Sequence, residues 1–237
     1  MTLKLLAFDT STQRMSVALQ DGARQWQRED EGGPKASARL IATVLELLDE
    51  AGLQLRQLHA IAFGRGPGSF TGLRTACSVA QGLAFGASLP VLPVNTLLTV
   101  AEACRQAQGS TRVLALLDAR MDQIYATAWA WSPETGWQAH SETTVCAPED
   151  LALPDGSATR DWVLAGNAFT PYGARLPAAL ADLPRHELLP TASALLSLAP
   201  GLLATGQAVP AEQALPLYIR DKVAQTTAER EAARASQ

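Results

Sequence analysis

Two aspartates and one glycine-rich loop are the parts of this sequence that could do chemistry. Asp9 follows the apolar run at residues 3–8, and Asp118 follows the apolar run at residues 113–117. Each run predicts a buried strand, so each carboxylate is expected at a strand end, beside a tight turn. α/β folds place magnesium and phosphate chemistry at such positions. An aspartate there can equally well hydrogen-bond its own turn, and both interpretations stay open.

The glycine-rich loop lies within residues 60–74, with the sequence AIAFGRGPGSFTGLR. A short apolar run precedes it and a helical pattern of apolar residues follows it, which predicts a strand, a loop and a helix. A phosphate loop would need Lys-Ser or Lys-Thr after Gly72, where the chain has Leu and Arg. The spacing G-x-G-x-x-G also fails, because the third glycine would fall on Ser69 or Thr71. These residues favour a tight strand-to-helix turn over a phosphate site.

Histidines and cysteines give no pattern typical of a metal site. They are scattered through the chain: His59, His140, His186, Cys77, Cys104 and Cys146. No CxxC spacing and no pair of neighbouring histidines occurs, so we expect neither a metal ion nor a cofactor. The cysteines are expected to be reduced and mostly buried.

Composition narrows the class of protein. The chain has 237 residues, of which 47% are hydrophobic and 18% charged, and its formal net charge is −4 with no basic block. Unaided binding to nucleic acid is therefore not expected, because phosphate neutralisation needs clustered Lys and Arg. The chain opens without a signal-peptide pattern, and no apolar run reaches the ~20 residues of a membrane helix. We expect a cytoplasmic protein that does not enter a membrane.

The order of elements indicates a duplicated domain. An apolar strand, an acid, a turn and a hairpin occur near residue 3 and again near residue 113. We expect an N-terminal lobe at residues 1–108 and a C-terminal lobe at residues 109–220. The polar segment at residues 221–237 is expected to be a disordered tail.

Two predicted helices carry more apolar residues than one buried face requires. The first is predicted to begin at Ser37 and end at Gly52, and the second to follow the glycine-rich loop and end near Gly86. In a layered fold one face of each helix covers the sheet. The remaining apolar residues are then either further core or a patch that binds partner helices, and the sequence supports both.

The strand with Asp9-Thr-Ser-Thr and its hairpin, repeated at Asp118, resembles the actin, sugar-kinase and chaperone-ATPase superfamily. Five segments resemble the TsaB (YeaZ) family more closely and span residues 3 to about 220: LAFDTST at 6–12, AIAFGRGPGSFTGLR at 60–74, VAQGLAFG at 79–86, DARM at 118–121 and PLYIR at 216–220. The resemblance implies an α/β, two-lobed actin-like ATPase (ribonuclease H-like) fold. Duplicated mixed sheets flanked by helices are expected.

The resemblance also implies a role. TsaB-like proteins are non-catalytic dimerisation and scaffold subunits of the bacterial complex that transfers threonylcarbamoyl to the tRNA adenosine beside the anticodon. They pair with the metal-bearing paralogue TsaD, are joined by the small ATPase TsaE, form homodimers, and meet tRNA indirectly through the complex. The partner interface implied on the two helices comprises Leu40, Val44, Leu48, Leu73, Ala76, Ala80 and Leu83. A vestigial nucleotide cleft is implied at Asp9, Gly66, Gly68, Ser69 and Asp118.

Two departures from related proteins bear on activity. Metal-bearing relatives carry H-x-x-x-H on the first long helix, where residues 33–40 here have no histidine, and Ala36-Ser37 stands where relatives commonly have His-Ser. Superfamily ATPases have a glycine two residues after the second acid, where this chain has Arg120, which we expect to pair with Asp118 or Asp122. The competing hypothesis is a stand-alone ATP-dependent kinase or ATPase that uses Asp9 and Asp118.

Overall fold

Two mixed β-sheets, separated by a layer of helices, form the body of the molecule. The computed structural model describes residues 2–154 and 159–220, so the predicted tail at residues 221–237 lies outside the described residues. The layers run in the order helices, first sheet, helices, second sheet, and a final layer of short helical turns and loops.

The first sheet has five strands in the order β3-β2-β1-β4-β5. Their bounds are β1 (Lys4–Asp9), β2 (Arg14–Asp21), β3 (Arg24–Glu31), β4 (Ala60–Gly66) and β5 (Val91–Asn95). β1 pairs with β2 antiparallel and with β4 parallel, so that Phe8 lies beside both Val17 and Phe63. Alternate residues of β1 face opposite layers, with Leu6 and Phe8 in one core and Leu5 and Ala7 in another, as the two-residue period of a strand requires.

The second sheet repeats this arrangement, which confirms the predicted duplication. Its main order is β11-β10-β6-β7-β8, and β9 pairs with β7. The bounds are β6 (Arg112–Arg120), β7 (Gln123–Ser132), β8 (Gly136–Ala139), β9 (Thr144–Cys146), β10 (Val163–Gly166) and β11 (Arg185–Glu187). In each sheet a central strand ending near an aspartate has an antiparallel hairpin partner on one side and a parallel strand on the other.

Within residues 2–154 and 159–220, five α-helices flank and separate the sheets: α1 (Pro34–Ala51), α2 (Phe70–Ala87), α3 (Thr96–Gln108), α4 (Phe169–Tyr172) and α5 (Ala192–Ala204). α1 and α2 cover the outer face of the first sheet, while α3 and α5 pack between the sheets. None of the helices in the described part of the chain is both long and apolar enough to cross a membrane.

Helix ends follow local chemistry, with three differences from prediction. The sequence offers Asn95 or Thr96 as the cap of α3, and the structure shows Asn95, which accepts hydrogen bonds from the backbone N–H groups of Leu97 and Leu98. α1 begins at Pro34, before Ser37, because proline's fixed φ suits the first turn of a helix. α2 continues past Gly86 to a left-handed Ser88, and α5 continues through Pro200, at which the sequence predicts a break.

A buried carboxylate joins the elements of the middle layer. Glu102 of α3 accepts hydrogen bonds from Arg105 at 2.9 and 2.8 Å and from Trp137 of β8 at 2.8 Å. Ser197 of α5 and Gln106 donate to it at 2.7 and 3.0 Å. Burial raises the pKa of Glu102, but these hydrogen bonds outweigh burial and hold the pKa below its usual value.

The predicted C-terminal lobe is not one unit in space. The first sheet ends at Asn95 and the second begins at Arg112, which is the order expected for lobes at residues 1–108 and 109–220. α5, however, packs its apolar residues on the first sheet, against Leu5, Ala7 and Leu92 among others. The division of the sequence into two lobes therefore has to be corrected for residues 192–204, because burying this apolar helix requires the sheet of the other half.

Candidate functional site

A cleft of about 450 Å³ opens where the two halves of the chain meet. Loops from both halves line it: residues 11–13 after β1, residues 68–70 at the start of α2, residues 118–121 after β6, Asn167, and residues 217–220. This is the place where the duplicated sheets bring together the residues that the sequence singles out. Asp118, Gly68 and Ser69 line the cleft, whereas Asp9 and Gly66 do not.

Asp9 is buried behind the loop that follows β1. Its Oδ1 accepts hydrogen bonds from the backbone N–H of Ser11 at 2.8 Å and from the Ser11 hydroxyl at 2.6 Å. Its Oδ2 has no hydrogen-bond partner among the described residues and lies against Gly64, where an added Cβ would overlap it. Burial raises the pKa of Asp9 to about 6, even though the hydrogen bonds from Ser11 lower it. The Asp9 carboxylate therefore stabilises the turn that follows β1.

Asp118 lines the cleft, and both oxygens of its carboxylate have partners within the protein. Its Oδ1 accepts from the backbone N–H of Arg120 at 2.7 Å and from the Tyr172 hydroxyl at 3.0 Å. Its Oδ2 forms the expected ion pair with the Arg120 guanidinium, at 3.0 Å. Asn167 in turn accepts a hydrogen bond from the backbone N–H of Asp118 at 2.9 Å.

The turn after Asp118 consists of residues that all carry side chains. Arg120, Met121 and Asp122 are three consecutive non-glycine residues in the left-handed conformation, with φ of 61°, 54° and 57°. The position where superfamily ATPases have glycine thus presents a guanidinium to the cleft. The duplicated pattern predicts the two aspartates as a pair, but Asp9 is bound by Ser11 and Asp118 by Arg120 and Tyr172. No hydrogen bond joins the two carboxylates in the described part of the chain.

The glycines of the loop permit close packing of this chain on itself. A Cβ at Gly68 would meet the Ser11 carbonyl oxygen at 2.6 Å, and one at Gly66 would meet the Leu217 carbonyl oxygen at 2.6 Å. Ser69 donates its backbone N–H to the Ser11 oxygen at 2.7 Å, and Thr10 donates its hydroxyl to the Gly72 oxygen at 2.7 Å. The structure therefore shows a tight strand-to-helix turn whose backbone is packed against neighbouring segments.

The helix residues first expected at a partner interface are mostly core residues. Six of them have at most 5% of their surface exposed, and Leu83 is half-buried: Leu40, Val44, Leu48, Leu73, Ala76, Ala80 and Leu83. All but Leu73 belong to the core between α1, α2 and the first sheet, and Leu73 lies against Gly66 beside the cleft. The expected interface is corrected accordingly. The six buried side chains cannot contact a partner while they remain packed inside the protein.

A different face of the same two helices carries exposed apolar residues. On α1, Ile41 is 46% exposed and Leu45 is 56% exposed; on α2, Phe85 is 80% exposed. Small exposed residues lie among them: Ala38, Ala42, Ser78 and Gly82. We call this set the outer helical face.

Comparisons with known proteins identify the family. The TsaB of Escherichia coli, named "tRNA threonylcarbamoyladenosine biosynthesis protein TsaB", is 35% identical over 225 residues, covering 94% of this chain and 96% of its own. That of Haemophilus influenzae is 33% identical over 230 residues, covering 93% and 95%. The chain belongs to the TsaB (YeaZ) family. The solved structure of YeaZ from Pseudomonas aeruginosa agrees in fold, with a TM-score of 0.84 and 41% identity over 91% of this chain and 99% of its own.

This chain is also similar to a family of transferases. The family model described as "TsaD: tRNA N6-adenosine threonylcarbamoyltransferase" matches residues 33–227. The transferase of that name from Chromobacterium violaceum is 44% identical over 59 residues, which is 25% of this chain and 17% of its own. The close match to the YeaZ structures shows the actin-like, ribonuclease H-like fold that the resemblance implies.

Several residues at the cleft and on the helices are not predicted from the sequence. Tyr172 and Asn167 reach Asp118 across 54 and 49 residues of sequence, a distance that no local pattern records. Phe85 does carry a signal, because it falls out of phase with the apolar positions of α2 that end at Ala84. The three histidines remain apart, and no cluster of three metal-ligating side chains occurs within residues 2–154 and 159–220.

Proposed function

We propose that this chain is the non-catalytic dimerisation and scaffold subunit of the bacterial complex that transfers threonylcarbamoyl to the tRNA adenosine beside the anticodon. It binds TsaD and TsaE, and it meets tRNA through the complex. The names of its relatives support the pathway. The observation that carries the scaffold role is the outer helical face, which leaves Phe85 80% exposed.

The outer helical face has the chemistry of a helix-packing interface. Ile41 and Leu45 lie one turn apart on α1, and Phe85 projects from the last turn of α2. A large exposed aromatic side chain surrounded by small residues is suited to enter a pocket on a partner. The small residues at Ala42, Ser78 and Gly82 would let partner helices approach closely. These features support a four-helix arrangement in which α1 and α2 meet two helices of the partner.

The relationship to transferases supports TsaD as that partner. Paralogues with one fold carry equivalent helices, so two equivalent faces can pair about an approximate twofold axis. The same geometry allows a second copy of this chain to take the place of TsaD. We propose that the homodimer and the heterodimer use the same face and therefore exclude each other.

The arrangement of residues at the cleft supports a non-catalytic role for this chain. Asp9 is turned away from the cleft, and Asp118 is bound by Arg120 and Tyr172. A magnesium–phosphate site would need carboxylates with free oxygens facing the ligand. The competing kinase or ATPase hypothesis would require both turns to open.

Reconstitution of the modification reaction tests the proposal. tRNA, TsaD, TsaE and the threonylcarbamoyl adenylate are combined with and without this chain, and product formation is expected only with it. Equal product formation without the chain would exclude the scaffold role. Calorimetric titration of the isolated chain with magnesium-ATP tests the alternative, which requires micromolar binding that Asp9→Ala abolishes.

A further inference from the structure

The segment at residues 214–220 forms neither helix nor strand, and its last four residues line the cleft. It starts on the first half of the chain, where the Ala214 carbonyl accepts hydrogen bonds from Cys77 at 3.2 Å and Gln81 at 2.9 Å. Leu217 then donates its backbone N–H to the Arg65 carbonyl at 2.7 Å. The segment is thus tied to α2 and to the end of β4.

Tyr218 adds side-chain contacts to the first half. Its ring lies 5.4 Å from that of Phe70, centroid to centroid, and its hydroxyl accepts a hydrogen bond from the Arg74 Nε at 3.1 Å. The Arg74 guanidinium also stacks on Phe70, at 3.8 Å from the ring centroid. The side chains at the start of α2 therefore hold the middle of the segment.

Arg220 fastens the other end to the second half. Its guanidinium donates to the carbonyl oxygens of Ala119 at 3.1 Å and Arg120 at 3.3 Å, and to Gln123 Oε1 at 2.5 Å. The same guanidinium reaches the Met121 sulfur at 3.3 Å. One guanidinium group thus contacts several residues of the left-handed turn between β6 and β7. Its planar set of N–H donors can bind several acceptors at once, which the single ammonium group of a lysine does less well.

The helices of the middle layer join the two halves through the interior, and residues 214–220 join them at the cleft. Across the cleft itself, Asn167 approaches Gln13 at 3.4 Å, which is a long hydrogen bond. The contacts of residues 214–220 therefore add to the middle layer in fixing the angle at which the two halves face each other across the cleft. In a two-lobed ligand-binding fold a bound ligand does this by contacting both lobes.

We infer that residues 214–220 form a clasp that sets the angle between the two halves in place of a bound ligand, with Arg220 as its fastener on the second half. The clasp contacts the same two loops, after β6 and at the start of α2, that line the cleft. It closes the cleft mouth from within the chain and holds the two sheets in one relative orientation. This inference concerns the isolated chain and does not rest on the proposed function.

Distance measurements between the halves test the clasp. Spin labels are attached to cysteines placed at two exposed positions, Gln57 and Ala179, with Cys146 replaced by serine throughout. The unmodified clasp is expected to give one narrow distance distribution by electron–electron double resonance. Arg220→Ala is expected to broaden it and to speed hydrogen exchange of the amides at residues 119–123 by at least about tenfold. Arg220→Lys should fall between the two.

Arg175→Ala is the matched control, because Arg175 binds Asp122 of the same turn at 2.6 Å but lies wholly within the second half. It should leave the distance distribution narrow. Gln123→Ala removes the side-chain acceptor that the second half offers to the Arg220 guanidinium, and it should therefore also broaden the distance distribution. It provides a second test of the clasp if Arg220→Ala fails to fold. An unchanged distribution in Gln123→Ala and every soluble Arg220 variant, or equal broadening in Arg175→Ala, would overturn the clasp.

Discussion

The Asp9 carboxylate lies directly against the Cα of Gly64, so that one oxygen is sealed between β1 and β4. The parallel pairing of these strands brings the two residues together at the carboxyl ends of the sheet. In a fold that binds nucleotide at this edge, that oxygen would be available to a cation. Here the backbone of the neighbouring strand covers it, which removes one half of the predicted acidic pair.

Gly64→Ala should destabilise the protein by about 1–3 kcal/mol, because a Cβ there would overlap the buried Asp9 oxygen and overpack the site. Urea denaturation measures the change. Gly82→Ala is the matched control: its added Cβ has nothing within 4 Å, and alanine favours a helix. The control should stabilise the protein by up to about 1 kcal/mol. Equal effects from the two substitutions would contradict the packing described.

The stability of the protein should depend on the charge of Asp9. Its pKa is about 6 in the folded protein and 3.8 as a free side chain, so the folded state favours the protonated form. The stabilisation is complete below about pH 4 and is lost as the pH rises through about 6, by up to about 3 kcal/mol. Asp9→Asn should remove this loss, as measured by denaturation at several pH values. Asp49→Asn, on the exposed side of α1, should keep the slope of the unmodified protein.

Glu102→Gln should cost about 1–3 kcal/mol, because its amide group would face donors from α3, β8 and α5 with one acceptor fewer. The pKa of Glu102 is lowered in the folded state by its hydrogen bonds, so its contribution is present above the ordinary pKa of a glutamate and declines as the pH falls through the lowered value. Thermal unfolding at two pH values measures this. Ser197→Ala removes a single donor and should cost less. A cost of Glu102→Gln that grew in acid would contradict the assignment.

The sequence predicts the sheets better than the surfaces. The repeated strand, acid and turn near residues 3 and 113 identify both sheets, because an apolar run before a polar turn is a local signal. Asn95 identifies the start of α3 for the same reason. The position of α5 on the first sheet depends instead on contacts far apart in sequence, so the two lobes predicted from the order of elements differ from the arrangement in space.

The candidate site shows the same limit. That Asp9 and Asp118 each follow a strand is evident from the sequence, but whether their oxygens face a cleft depends on Gly64, Tyr172 and Arg120. On α1 and α2, apolar residues occupy more than one face, so periodicity cannot separate Leu40 in the core from Leu45 on the surface. Only the packing against the first sheet distinguishes them.

The affinity of TsaD for this chain, measured by calorimetry for the unmodified protein and for Phe85→Glu, tests the central claim most directly. A charge at the most exposed apolar residue of the outer helical face should weaken binding by at least about 30-fold, as expected for a residue central to an interface. Ala179→Glu, an exposed position of the second half, should bind as the unmodified chain does, and modification of tRNA should fall in parallel with affinity. Equal affinity of Phe85→Glu and Ala179→Glu for TsaD would contradict the account.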